Sequence, residues 1–412
     1  MTDLVRRLSA AVNRDRLLET AVELIRIPSP TRSAGRVADR LAGILAADGF
    51  VVERIAAGWP EAPAVVVRFD SGRPGPTLQF NGHLDTVHLP FVPPRVENGV
   101  LYGSGAADMK GGVAAMVEAL RVLRDTGALA AGRLLLTAHD LHEAPWGDGR
   151  QVDGLIDAGC VGDAVLLPEY LCDRLAVVGR GMAVLEVRVT RAGEPVHEVL
   201  GGIEQPSVIV AGAEVIRRFA ELDRRFAASS HPDGVELRPT SQTAGRSSTP
   251  SSRASAGLRE SLFIGQVASG EIYNQSPTTF RLYGTRRWLP GNSAGAVEQE
   301  LRGIAAEVSR ETGTQVEVIV RRTRDAFEFS GEHAVVEAFQ QSCRDVMGHA
   351  LPLGTKPFVD DGNTFAARAH IPAITHGPAA RGAHTVNEEV AVDELVRVAR
   401  VYALTAARFS GG

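Results

Sequence analysis

Cysteine is scarce in this chain. Its three cysteines, Cys160, Cys172 and Cys343, are odd in number and far apart. That excludes a paired disulfide framework or a zinc knuckle and leaves buried structural thiols as the expectation. Long apolar runs are missing too. No uninterrupted stretch reaches membrane-spanning length, and residues 1–15 have no apolar core of the signal-peptide kind. No membrane partner is therefore expected, and the cytoplasm is the expected location. Positive charge is not in excess: 44 Lys and Arg stand against 49 Asp and Glu, for a formal net charge of -5. With the arginines interspersed among acids, no basic stripe is left for nucleic acid. What is present is an ordinary globular composition, 44% hydrophobic, which excludes a disordered chain. A length of 412 residues exceeds the size at which one core keeps growing, so two domains, or one domain carrying a large insertion, are expected.

Periodicity orders the chain. Leu17, Leu18, Ala21, Val22, Leu24 and Ile25 recur at helical spacing until Pro28 stops the run. Short apolar runs at 64–69, 77–80, 133–137 and 164–167 read as strands, with a helical pattern at 112–123 between two of them. Strands alternating with helices predict an α/β sheet whose functional loops lie at strand ends. The texture changes after residue 175. Strand patterns at 183–189, 261–267, 279–283 and 315–320, with helical ones at 206–219 and 294–311, predict an α+β insertion. Within it, 241–256 is rich in Ser, Thr, Arg and Gly and reads as an exposed loop. The α/β pattern resumes at 335–346 and 371–375 and closes with a helix at 392–409. The expected domains are thus a catalytic domain at 1–176 and 328–412, interrupted by an inserted domain at 177–327.

Residues able to do chemistry collect where strands end. His83 and Asp85 follow the strand at 77–80, and a metal-bound imidazole usually donates its second N–H to a carboxylate, which would put Asp85 behind His83. Asp108 closes a glycine-dense loop ahead of a helix, where it reads equally as a capping carboxylate. The loop lacks the Gly-Lys-Ser/Thr ending of a phosphate loop and the Rossmann spacing. His139, Asp140, His142 and Glu143 cluster after the strand at 133–137, and Pro145 interrupts any zincin-type helix there. Glu169 follows the strand at 164–167, and His384 lies in a loop before the last helix.

The order and spacing of Gly82-His83-Leu84-Asp85, Asp108-Met109-Lys110-Gly111, His142-Glu143, Asp163 through Glu169, Gly377-Pro378 and Ala383-His384-Thr385 resemble a known family. It is that of the aminoacylase, acetylornithine deacetylase, succinyl-diaminopimelate desuccinylase and glutamate carboxypeptidase metallohydrolases. The resemblance spans nearly the whole chain. It implies an α/β catalytic domain of aminopeptidase-like, three-layer type with an inserted α+β lid or dimerisation domain. It also implies two divalent metal ions, usually zinc, with manganese, cobalt or a single-metal site open. His83 and Glu169 would hold one ion, Glu143 and His384 the other, and Asp108 would bridge them, with Asp85 behind His83. Two such cations polarise a carbonyl and lower the pKa of a shared water, which suits amide hydrolysis at neutral pH.

Where the family has two successive glutamates, the first acting as general base, this chain has His142-Glu143. An imidazole, with a pKa of about 6.5, can also carry the proton. Three readings stand: histidine as base, a changed hydrolytic chemistry, or a binding protein without activity. The resemblance further assigns His197 to stabilising the oxyanion across a homodimer formed through the inserted domain. It assigns Asn274 and one of Arg286 or Arg287 to holding a substrate carboxylate, a task that suits a planar guanidinium, with Gly377 beside the substrate. Thr285 departs from the Asp often found there. The expected substrate is a small carboxylate-bearing amide such as an N-acyl amino acid. The alternatives are hydrolytic deamination of an aromatic amine such as a nitroanthranilate, with Trp146 against the ring, or a non-catalytic metal-stabilised binding protein.

Overall fold

In the computed structural model of the chain, residues 2–229 and 258–411 are described. The expected loop at 241–256 lies outside the described residues. The chain forms two compact units, one of Met1–Val177, Phe329–Gly354 and Asp360–Gly412, the other of Val178–Glu328 and Thr355–Val359. The return of 355–359 to the second unit has no counterpart in the sequence pattern.

The first unit is an α/β sandwich in three layers. Its sheet has six strands, β1 (Val52–Ile55), β2 (Ala64–Asp70), β3 (Thr77–His83), β4 (Arg133–His139), β5 (Ala164–Leu167) and β6 (Ala373–Thr375), in the order β1-β2-β4-β3-β5-β6. β1, β2 and β4 pair antiparallel, whereas β4, β3, β5 and β6 run parallel. Parallel strands covered on both faces need apolar residues at every position, and β4 and β5 supply them in Leu134-Leu135-Leu136 and Ala164-Val165-Leu166-Leu167, all buried.

Helix α1 (Arg14–Ile25) is capped by the Asn13 side chain and ends ahead of Pro28. With α2 (Lys110–Thr126) and α4 (Val392–Gly411) it covers the face that shows Leu78, Phe80, Leu134, Leu136, Leu166 and Ile374. On the opposite face, Val66 and Leu135 pack with Leu155 of α3 (Arg150–Asp157), while Val165 and Leu167 pack with its Val152 and with Phe365. α2 enters the sandwich on glycines. A Cβ on Gly112 would lie 2.4 Å from the Pro168 carbonyl oxygen and one on Gly111 2.5 Å from that of Ala106. The helix start therefore packs directly against the turn after β5.

The second unit is a four-stranded antiparallel sheet in the order Ser261–Ser269, Thr279–Trp288, Gly181–Thr190, Gln315–Arg324. The helices Val208–Ser229 and Ala294–Thr312 bury Phe219, Leu301 and Val308 with Leu185, Val187 and Leu282 of the sheet. Among the described residues no helix is long and apolar enough to cross a membrane.

Candidate metal centre

β3, β4 and β5 end side by side, with His83 in register with His139, and the turns that leave them carry the candidate ligands. Active residues collect at the carboxyl ends of parallel strands because the turns there converge on one crevice. The Nδ1 of His83 lies 2.9 Å from the Asp85 carbonyl oxygen. A carbonyl only accepts, so Nδ1 carries a hydrogen and Nε2 is the nitrogen left to face a cation. That Nε2 is 3.1 Å from Asp108 Oδ1, and the other carboxylate oxygen, Oδ2, is 3.1 Å from Nε2 of His384. The same His384 nitrogen lies 3.2 Å from Glu143 Oε2. Asp108 thus offers one oxygen to each of two imidazoles, a bridging arrangement.

Backbone strain and buried anions hold these groups in place. His384 adopts a left-handed conformation, φ 62, and so does Leu141, φ 68, which turns the chain between His139 and His142. Non-glycine residues of this kind concentrate at functional sites, where surrounding structure maintains them. The fully buried Asp85 carboxylate accepts the backbone N–H of His142 at 3.1 Å and of Glu143 at 3.0 Å, and lies 3.6 Å from His83 Nδ1. One residue therefore sets both the His83 tautomer, through its carbonyl, and the path of the neighbouring turn, through its carboxylate. Glu388, unmarked in the sequence, accepts backbone N–H groups from Gly105, Ala107 and Asp108, each at 3.1 Å, and so clamps the loop that presents Asp108. Gly377 packs on the Glu169 backbone so tightly that a Cβ would lie 2.1 Å from its carbonyl oxygen.

The electrostatics describe a place built for positive charge. Burial and the adjacent His142 pull the His83 pKa down, yet its bond to Asp108 together with the charges of Asp108 and Asp85 outweighs them and lifts it to about 9. His384 is raised to about 11 by its bonds to Asp108 and Glu143. Desolvation works against the charged form of Asp108, but the two imidazoles hold its pKa well below the usual carboxylate range. Glu169 goes the other way: burial, then the Asp108 charge, push it well above its ordinary value against the smaller pull of His83. Its Oε1 is buried with no hydrogen-bond partner among the described residues. An orphaned carboxylate oxygen beside imidazole nitrogens fits a divalent cation, and a mixed nitrogen and oxygen donor set suits zinc, manganese or cobalt. Ligand atoms of His83, Asp108 and Glu143 lie within 4.8 Å of one another, as do those of His83, His142 and Glu169.

His142 has its Nδ1 2.8 Å from Asp361 Oδ2 and its ring stacked on that of His83, centroids 4.0 Å apart and planes 7° from parallel. Asp361, also 3.2 Å from His139 Nε2, carries no signal in the sequence that marks it. Asp140 accepts the backbone N–H groups of Arg32, Ala34 and Leu141, a structural task. Trp146 is half exposed, with the Arg32 guanidinium 6.0 Å from its ring.

In the second unit, His197 accepts the Val199 N–H at Nδ1, and its Nε2 meets the Asn274 side-chain amide at 2.9 Å. The two candidate arginines differ. Arg286 is fully buried, paired with Glu260 at 2.5 Å and Glu300 at 3.2 Å and laid 4.1 Å over Phe226. Arg287 has a buried Nη1 without a hydrogen-bond partner among the described residues, and desolvation lowers its pKa.

Residues 79–408 match the peptidase family M20/M25/M40. The chain belongs to that family. It is similar to a succinyl-diaminopimelate desuccinylase of Halorhodospira halophila, 29% identical over 403 residues that cover 93% of this chain and 96% of the relative. Among solved structures it is similar to human carnosine dipeptidase 1, with a TM-score of 0.75 at 16% identity over the whole of both chains. A dinuclear metal-binding peptidase of the family from Bacillus subtilis aligns over 96% of this chain and 97% of that one, with a TM-score of 0.67 at 14% identity. M20 membership makes this chain a metal-dependent hydrolase of amide or peptide-type C–N bonds acting on small molecules, and the mixed α/β fold is that of the family.

Proposed function

We propose that this M20 hydrolase deacylates an N-acyl amino acid or a related small amide bearing a carboxylate, using two divalent cations, zinc foremost, and working as a cytoplasmic homodimer. The observation that carries the two-cation reading is Asp108, with one oxygen on His83 and the other on His384. The residues that would hold the ions are His83 with Glu169, and Glu143 with His384, sharing Asp108. When bound, such a pair polarises the scissile carbonyl and acidifies a water.

The chain's own groups do the rest. Asp85 keeps the His83 hydrogen on Nδ1 and ties down the turn carrying Glu143. Glu388 fixes the Asp108 loop. His197, whose Nδ1 accepts the Val199 N–H, serves as donor to the developing oxyanion through Nε2 once the oxyanion takes the place of Asn274 there. Arg287, whose Nη1 has no hydrogen-bond partner among the described residues, takes the substrate carboxylate. The relatives named succinyl-diaminopimelate desuccinylase support an acyl group on an amine nitrogen as the bond cut. An edge strand bearing outward Phe263 and Val267 supports pairing with a second copy, and three free thiols suit a reducing compartment.

The experiment is hydrolysis of a panel of N-acyl amino acids by zinc- or manganese-loaded protein, beside His384→Ala and Arg287→Met. Acid release that is lost in the first variant, and that shows a raised KM in the second, supports the reading. No turnover of any amide, or ammonia released from ortho-aminobenzoates instead, overturns it.

A further inference from the structure

His142 occupies the position where the resemblance places an acid–base glutamate, and its surroundings differ from those of a free proton carrier. Asp361 Oδ2 lies 2.8 Å from Nδ1. The carboxylate accepts, so Nδ1 carries the hydrogen and Nε2 offers a lone pair. That is the arrangement a metal-ligating histidine adopts, with its second nitrogen donating to an acceptor behind it. His83 shows the same pattern, its Nδ1 2.9 Å from the Asp85 carbonyl oxygen. The two rings stack nearly parallel, 4.0 Å apart, and present ligand atoms within 4.8 Å of each other and of Glu169.

Glu169 completes the case. Its orphaned Oε1 lies 3.8 Å from His142 Nε2. That separation is too long for a hydrogen bond. Two donors each about 2.1 Å from a tetrahedral zinc are roughly 3.4 Å apart, so a cation between this nitrogen and this oxygen requires them to close by only a few tenths of an ångström.

We infer that His142 is itself a metal ligand: His83, His142 and Glu169 hold the first cation, Glu143 and His384 hold the second, and Asp108 is shared by both. The inference rests on the two-cation reading and deepens it. Asp361 is then a positioning residue that fixes the His142 tautomer. A site with two imidazoles prefers zinc or cobalt to manganese, since nitrogen donors suit the former and oxygen donors the latter, so the first equivalent of cobalt enters there.

Cobalt-loaded protein tests this without reference to turnover. In its paramagnetic proton spectrum, wild type is expected to show two slowly exchanging shifted N–H signals, from the Nδ1 hydrogens of His83 and His142, because half-exposed His384 loses its own by exchange. His142→Ala removes one signal and weakens one cobalt site by about a hundredfold, and Asp361→Asn weakens the same site by about 10–100-fold. A single N–H signal in wild type, or two cobalt equivalents bound by His142→Ala with unchanged affinity and spectrum, overturns the inference. If His142→Ala fails to fold by circular dichroism, the wild-type signal count decides. Full cobalt loading with both signals but no amide hydrolysis would sink the proposed reaction and leave the ligand assignment standing.

Discussion

His376 follows β6, is fully buried, and has no hydrogen-bond partner for either ring nitrogen among the described residues. Phe339 meets the ring edge-on at 4.9 Å, and Tyr402 lies 6.3 Å away. Burial, then the nearby Arg397 charge, lowers its pKa to about 3. The unfolded imidazole takes up a proton near pH 6.5, whereas the folded one stays neutral until about 3. Between those values the unfolded state binds more protons, so stability falls as pH falls. A pH of 5 lies about 1.5 units below the unfolded pKa, which at about 1.36 kcal/mol per unit costs the folded state about 2 kcal/mol. His376→Phe keeps the aromatic contacts and removes the titration. Urea unfolding of both proteins, stripped of metal, at about pH 7.5 and about pH 5 is expected to show wild type losing about 2 kcal/mol more than the variant over that interval. Subtracting one protein from the other cancels every other titrating group. Equal losses in the two proteins would refute the reasoning, because they would mean that the buried imidazole finds its proton in the folded state.

Asp85→Asn keeps one oxygen for the two backbone N–H groups, which both meet Oδ2, but puts an NH2 group where Oδ1 lies 3.6 Å from His83 Nδ1 and removes the buried charge; zinc affinity, measured by competition with a chromophoric chelator, is expected to fall by about 10–100-fold. Gly377→Ala drives a Cβ into the Glu169 carbonyl, so the zinc site containing Glu169 weakens and the unfolding free energy, read from urea curves, drops by about 1–3 kcal/mol. Arg286→Met leaves Glu260 and the part-exposed Glu300 without their buried partner and is expected to lower the stability of the second unit by about 1–3 kcal/mol, with KM unchanged wherever the protein remains folded.

The candidate ligand set is legible in the sequence because most of its members sit where a strand pattern stops. His83, Glu143 and Glu169 follow runs whose apolar content marks them as buried strands, and the structure brings them together with Asp108 and His384. Asp361 is not legible. It lies 219 residues from His142, in a four-residue helix whose Asp360-Asp361-Gly362-Asn363 start reads as capping, and only the fold carries it to the imidazole. The choice between Arg286 and Arg287 is equally closed to pattern. Neighbours on a strand point to opposite faces, and which face is buried depends on the register of Thr279–Trp288 against Gly181–Thr190, which no single run of residues encodes. The clamp by Glu388 is hidden for a related reason: its partners are backbone N–H groups, which leave no mark in side-chain identity.

The residue at position 142 sets both the charge near the candidate ions and the donor atom they meet. A glutamate at this position would put four carboxylates around the cluster, together with Asp108, Glu143 and Glu169. Histidine removes one negative charge from direct reach, yet the Asp361 carboxylate lies 2.8 Å behind the ring. The Asp361 charge acts only from behind the imidazole, and a neutral nitrogen donor separates it from the ions. Coulomb attraction to a cation weakens with that distance, while the nitrogen lone pair adds a directional bond of the kind zinc and cobalt favour. A histidine here thus lowers the negative charge beside the ions by one and shifts selectivity toward metals that favour nitrogen donors. A ratio of zinc to manganese affinity that falls in His142→Glu, with both metals still bound, is the expected result, and an unchanged ratio would refute metal selectivity as the reason that histidine occupies this position.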